Sequence, residues 1–167
     1  MSRGFVKEDD QEEAPLIPPR AALPDGATNY VTPHGLQQLQ EERDQLESEI
    51  ANLDEEDDRE RRRALALLNG KFNLLTDRLN TARVLEPESQ NHDEVRFGAS
   101  VTYTVNGSGK PIEIQLVGVD EADVKKNKIA FTAPIAKALT GKKIGEETVL
   151  HLGKEERLLQ VKAVTYK

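Results

Sequence analysis

Leu46-Glu47-Ser48-Glu49-Ile50-Ala51-Asn52-Leu53-Asp54-Glu55-Glu56-Asp57-Asp58-Arg59-Glu60-Arg61-Arg62-Arg63-Ala64-Leu65-Ala66-Leu67-Leu68 decides the fold, because two heptad runs meet in it across five consecutive acids. Upstream, apolar residues recur at Leu36, Leu39, Leu46, Ile50 and Leu53, with Arg43 in the remaining seam position; downstream they recur at Leu65, Leu68, Phe72, Leu75, Leu79 and Ala82. Both runs alternate spacings of three and four, the signature of helices that bury one narrow seam. Folded antiparallel, the pairs Leu53/Leu65, Ile50/Leu68, Leu46/Phe72, Arg43/Leu75, Leu39/Leu79 and Leu36/Ala82 all have residue numbers summing to 118. A single register therefore satisfies every pair and centres the turn on residue 59.

Thr32-Pro33 supplies an N-cap followed by proline at the first helical position. The pattern predicts a first helix from there to Glu55 or Glu56 and a second from Asp58 or Arg59 to Arg83, giving arms of roughly 33 Å at 1.5 Å per residue. Gly70 interrupts the second helix away from its seam, where it is expected to be tolerated at a cost of about 1 kcal/mol. Acids ending one helix and arginines opening the next would both oppose the helix dipoles, by about 0.3–1 kcal/mol per exposed charge. Such a tip is expected to serve something other than stability, although a solvated cap of acid–arginine pairs remains the alternative.

Around this hairpin, residues 1–30 combine the acidic run Glu8-Asp9-Asp10-Gln11-Glu12-Glu13 with Pro15, Pro18, Pro19 and Pro24. So little apolar surface predicts a disordered or extended arm acting as a solubilising tail, with Leu16-Ile17 as the alternative of a docking peptide. After the stalk, 31–85, the polar stretch 86–93 reads as a linker, and 94–167 as a second domain. There the period changes to that of strands, expected at 94–97, 100–105, 112–117, 128–131, 148–152 and 157–165, with a turn at 106–111 opened by Asn106-Gly107. Pro134-Ile135-Ala136-Lys137-Ala138-Leu139-Thr140-Gly141 reads as a short helix stopped by glycine. The fold class is α+β: an antiparallel coiled-coil hairpin followed by a small antiparallel sheet domain.

Composition narrows the function. Charged residues are 32% and aromatics 4% of the 167 residues, which suits a solvated stalk better than one large core. The net charge of -7 disfavours broad binding to nucleic acid and leaves room only for local contact. The absence of cysteine removes disulfides and thiolate metal sites, and His34, His92 and His151 are scattered. No apolar run is long enough for a membrane span and the first residues lack a signal-peptide core, so a cytoplasmic protein without membrane contact is expected.

An acid-tipped helical hairpin ahead of a small sheet domain resembles the GreA/GreB transcript cleavage factors of bacterial RNA polymerase. Tyr30-Val31-Thr32-Pro33-His34-Gly35-Leu36-Gln37-Gln38-Leu39 looks like the family's opening segment and Asn80-Thr81-Ala82-Arg83-Val84-Leu85 like the end of its stalk. Val119-Asp120-Glu121-Ala122-Asp123, Asn127-Lys128-Ile129 and Pro134 to Gly145 then follow at the family's spacing, and the ordered set is more specific than any one segment. The resemblance covers residues 30–167 and leaves the N-terminal arm outside it.

The resemblance implies that the second domain is FKBP-like and docks beside the polymerase's secondary channel, which the stalk enters. It implies a monomeric accessory factor with no stably bound metal or cofactor of its own. Asp54, Glu55, Glu56, Asp57 and Asp58 would assist the polymerase's Mg²⁺ in hydrolysing backtracked RNA, since carboxylates are hard oxygen ligands. Arg59, Arg61, Arg62 and Arg63 would contact RNA phosphate near the nascent 3′ end or the channel wall. Asp120, Glu121, Asp123, Thr132, Ala133, Pro134 and Ile135 would meet the polymerase, with a polar turn as the alternative for the three acids and helix initiation for Pro134.

Two departures bear on mechanism. The tip lacks the family's acidic pair flanked by glycine and asparagine, and alanine stands at 133 where the family more often has serine. The stalk is also shorter by about one heptad per arm, roughly 10 Å of reach, so inhibition by occupying the channel is the alternative to cleavage. Prolyl isomerisation or a purely structural adaptor are the remaining readings.

Overall fold

A computed structural model of the chain describes residues 13–87 and 92–166. Strand β1 (Tyr30–Val31) leads into α1 (Pro33–Ala51); α2 (Asp58–Thr81) returns to β2 (Arg83–Val84), which lies parallel to β1. The sheet domain follows: β3 (Ala99–Val105), β4 (Ser108–Val117), a 3₁₀ turn (Val124–Lys126), β5 (Lys128–Ala130), α3 (Pro134–Leu139), β6 (Glu147–Leu152) and β7 (Glu155–Tyr166). This is the α+β architecture expected from the sequence, a helical hairpin followed by a curled sheet with one short helix.

Leu39, Leu46 and Leu75 are buried in the stalk, with Leu36, Leu68, Phe72, Leu79 and Ala82 packed against them. These are the seam positions. The hairpin reverses earlier than the register suggests, however. Helix α1 stops at Ala51 rather than at residue 55 or 56, and residues 52–57 form a loop, so the turn is not centred on residue 59. Asn52 closes α1, with its backbone N–H and its Nδ2 both donating to the Ser48 carbonyl. Continuing the helix would have stacked like charges one turn apart at its negative pole, an arrangement that the loop avoids. Helix α2 ends at Thr81, two residues before the expected Arg83.

The five-stranded sheet has the order β5-β4-β3-β7-β6, antiparallel except where β5 joins β4 parallel after the 3₁₀ turn. Asn106 and Gly107, at φ 53° and 68°, make a two-residue hairpin, so β4 begins at Ser108 instead of 112. Both positive φ values belong to the turn that matches strand twist. Pro111 is accommodated because β4 pairs with β5 only from Gln115 onward and β3 carries a register shift between Tyr103 and Val105.

Residues 94–97 form no strand. Glu94 makes one isolated bridge to Lys143, while Val95 is fully buried, its N–H donating to the Lys142 carbonyl and its own carbonyl accepting from Gly141. Helix α3 lays Ala136 and Leu139, one turn apart, onto the core formed by Val101, Leu116, Leu159 and Val161.

Residues 1–12 lie outside the described residues, as do 88–91 of the linker. Residues 13–29 carry no helix or strand, with a turn at Asp25-Gly26, and they are not detached: Asn29 is buried, and its Nδ2 donates to the Arg78 carbonyl and to Thr81 Oγ1 at the end of α2.

Candidate functional site

The tip is the outer end of the stalk. Asp57 is the N-cap of α2, its Oδ1 accepting from the Glu60 N–H at 2.9 Å, and Asp58 and Glu60 occupy the first turn. Glu55 Oε1 accepts from the Asp57 N–H at 3.1 Å, which ties the loop to that cap. Arg61 donates to the Glu55 carbonyl at 3.2 Å and pairs with Asp58. Three of the five acids therefore organise the turn, and Asp57 and Asp58 sit at the positive pole of α2, where the dipole favours them. The expectation that all the tip charges oppose the dipoles fails for these two.

Asp54 and Glu56 differ. Both are exposed, and among the described residues neither makes a hydrogen bond or ion pair. Arg59, Arg62 and Arg63 are exposed on the first turns of α2. The tip thus presents two uncommitted carboxylates beside a basic helix start. Among the described residues, no group of three or more His, Asp or Glu side chains is placed to hold a metal ion.

The other predicted site residues fall at the foot of the stalk, where the sheet domain meets it. Asp120 and Glu121 turn inward. Asp120, its side chain 7% exposed, lies 3.0 Å from Arg20 Nε and 3.2 Å from Arg78 Nε. Glu121 accepts from Thr32 Oγ1, the hydroxyl that also caps α1 at Gly35, and pairs with Lys128 Nζ at 3.2 Å. Asp123 caps the 3₁₀ turn by accepting from the Lys125 N–H. The Asp120 and Glu121 carboxylates are thus engaged in holding stalk and sheet together rather than facing outward.

Thr132 and Ala133 lead into α3, with Pro134 exposed at its first turn and Ile135 half-buried against the core. Ala133 offers no side-chain cap, so α3 starts from the fixed φ of proline alone.

Sequence reasoning missed the tightness of this foot. Tyr30 meets Phe97 and Phe131 at centroid distances of 5.8 and 5.7 Å, and Phe97 meets Phe131 at 5.5 Å. A Cβ on Gly118 would lie 2.5 Å from the Tyr30 carbonyl oxygen, and one on Gly35 would lie 2.7 Å from Glu121 Oε1. At Gly118 only glycine lets two backbones approach so closely, and at Gly35 it leaves room for the Glu121 carboxylate. The signal was present in Gly35, a helix-weakening residue in the first turn of α1, but its partner lies 86 positions away in sequence.

The family model "Transcription elongation factor, GreA/GreB, C-term" matches residues 90–166. Transcription elongation factor GreB of Neisseria meningitidis serogroup A is 30% identical over 154 residues, covering 83% of this chain and 94% of that protein. The chain belongs to the GreA/GreB family. Transcription elongation factor GreA of Acidiphilium cryptum is 34% identical over 101 residues, which cover 60% of this chain and 64% of that protein. The match thus spans a little under two thirds of that GreA's length. A solved structure titled as prokaryotic transcription elongation factor GreA/GreB from Nitrosomonas europaea is 22% identical, with a TM-score of 0.41, covering 82% of this chain and 98% of that one. The GreA/GreB match over 90–166 takes in α3 and the whole sheet, and the longer GreB match extends the likeness into the stalk.

Proposed function

We propose that this chain is a cytoplasmic, monomeric elongation factor that binds bacterial RNA polymerase at its secondary channel and stimulates cleavage of backtracked RNA through the stalk tip. The observation that carries this reading is the division of labour among the tip acids. Glu55, Asp57 and Asp58 hold the turn, which leaves Asp54 and Glu56 exposed and uncommitted. Two carboxylates can supply two of the six oxygens around a Mg²⁺ ion, with polymerase and water supplying the rest. An ion so held would lower the pKa of bound water and stabilise the leaving oxygen. Asp54 and Glu56 would orient that ion, Arg59 and Arg63 would draw in RNA phosphate, and the Thr132–Ile135 loop would rest on the polymerase rim.

The factor would be an accessory rather than an enzyme. Prolyl isomerisation needs an aromatic-lined pocket, yet Phe97 and Phe131 stack on Tyr30, Tyr103 is core, and Tyr166 packs against His92 while its hydroxyl donates to the Glu94 carbonyl.

A second reading is favoured by length. At 1.5 Å per residue the 19 residues of α1 span about 28 Å and the 24 of α2 about 36 Å, either side of the roughly 33 Å read from the sequence, which is about one heptad per arm less than the stalk of the cleavage factors. A tip that stops short occupies the channel without reaching the metal, and the factor then inhibits. Stalled, backtracked elongation complexes separate the two readings when RNA cleavage and new synthesis are measured with the unaltered protein and with Asp54→Asn/Glu56→Gln. Cleavage lost in the double variant supports stimulation. Loss of synthesis with no cleavage supports inhibition, and an unchanged double variant that still binds polymerase indicates an adaptor that uses the stalk as a spacer.

A further inference from the structure

The N-terminal arm runs up α2 from the foot toward the tip and meets that helix at three places. At the foot, Asn29 donates to the Arg78 carbonyl while its own carbonyl accepts from the Arg83 N–H. Midway, the Ala21 carbonyl accepts from Arg78 Nη2 at 2.6 Å. Farthest up, Ile17 lies directly on Gly70, where any Cβ would overlap its side chain, with Cγ1 at 2.7 Å.

Arg20 joins three parts of the molecule. Its Nη1 and Nη2 donate to the two Glu42 oxygens of α1 at 2.7 and 3.0 Å, and its Nε donates to Asp120 of the sheet domain at 3.0 Å. The side chain is only 18% exposed. Its pKa is raised, first by the hydrogen bond to Glu42 and further by Asp120, against burial. A planar guanidinium gripping one carboxylate with both terminal nitrogens and a second with Nε is a directional link, unlike a surface lysine.

We propose that residues 15–29 are a strap that fixes the direction of the stalk relative to the sheet domain, with Arg20 as its pin and Gly70 as the seat for its far end. The strap gives Gly70 a purpose that the seam does not: a helix-weakening glycine on the face of α2 that receives Ile17. Between its anchors the strap encloses an open cleft of about 770 Å³ lined by Pro19, Ala22, Leu23 and Leu74. The arm is therefore held by discrete contacts rather than by continuous packing, and loss of one anchor releases its neighbours. Direction matters because the stalk is a lever: over about 28 Å of α1, a swing of about 10° at the foot displaces the tip by about 5 Å. That consequence for the tip rests on the function proposed above; the strap itself does not.

Because the chain has no cysteine, paired spin labels at Ala66→Cys near the tip and Lys154→Cys in the β6–β7 turn report the stalk-to-sheet distance in the protein alone. Arg20→Ala, Ile17→Ala and Gly70→Leu are each expected to broaden the distance distribution at least twofold. In the cysteine-free protein, which keeps Lys154, Ile17→Ala and Gly70→Leu are expected to raise tryptic cleavage after Arg20 at least tenfold, with cleavage after Lys154 unchanged. Ile17→Ala leaves α2 untouched, so its result does not depend on whether the helix accepts leucine at 70. Distances that stay as in the unaltered protein for both Ile17→Ala and Arg20→Ala, together with cleavage after Arg20 that stays so for Ile17→Ala, overturn the strap. No polymerase is present, so this outcome is separate from success or failure of the cleavage assay.

Discussion

At the foot of the stalk, Thr32, Glu121, Lys128, Asp120, Arg20 and Arg78 form a largely buried ionic junction, and Tyr30, Phe97 and Phe131 cluster at the same foot. At the tip, charges of the same kinds stand in solvent, and Glu55, Asp57, Asp58 and Arg61 are tied together through the local turn. Burial makes the difference. A carboxylate such as Glu121, with a side chain 3% exposed, needs its partners because water cannot replace them. Exposed ion pairs contribute at most about 1 kcal/mol, so side chains at the tip are free to be chosen for what they meet outside. One end of the hairpin is built for position and the other for contact.

The comparison breaks most readily along the seam between its two ends. Leu75 is fully buried in the middle of α2. Leu75→Ala is expected to destabilise the stalk by about 2–5 kcal/mol, the usual cost of a cavity left by a core leucine. Urea unfolding followed by helical circular dichroism measures it. A loss below about 1 kcal/mol would mean that the helices do not depend on each other, and then neither end could position the other.

The foot comes next. Glu121→Gln keeps the shape beside Gly35 but leaves Lys128, 21% exposed, without its counter-charge and weakens the acceptor for Thr32. The expected cost is about 1–3 kcal/mol, the range for a buried polar group that loses its partner. In the same unfolding experiment, a change within 0.5 kcal/mol would place the junction's strength in the aromatic cluster and the glycine contacts instead of the carboxylates.

How much of this was legible follows from the range of each interaction. The seam leucines, the Asn106-Gly107 hairpin and the start of α3 are set by neighbours a few positions apart, and periodicity and turn chemistry displayed them. The family resemblance was likewise carried by ordered local segments. The end of α1 was not legible from apolar spacing, because Leu53 continues the heptad while the acids that follow oppose a helix there; the charges prevailed and the chain left the helix at Asn52. Nor did the heptads show that two tip acids would stand apart from the three that build the turn. The foot was hidden for a different reason. Arg20 and Asp120 are 100 residues apart, and nothing in either neighbourhood names the other. Among the described residues, Gly35, Gly70 and Gly118 are the local marks of close approach, and in the sequence Gly70 reads as a tolerated blemish because nothing beside it points to Ile17.

The smallest effects belong to the tip, and there the comparison can be sharpened most. Asp57 combines two contributions: its Oδ1 accepts the Glu60 N–H, and its charge faces the positive pole of α2. Asp57→Ala removes both and is expected to cost about 1 kcal/mol. Asp57→Asn keeps an acceptor and removes only the charge, so its cost should be a few tenths of a kcal/mol and should shrink as salt rises. The pair of variants thus separates the hydrogen bond from the dipole. Asp54→Asn/Glu56→Gln, touching neither, should stay within about 0.5 kcal/mol of the unaltered protein. If instead that double variant loses as much stability as Asp57→Ala, all five acids form one structural cap, and the division that singles out Asp54 and Glu56 for work outside the molecule collapses.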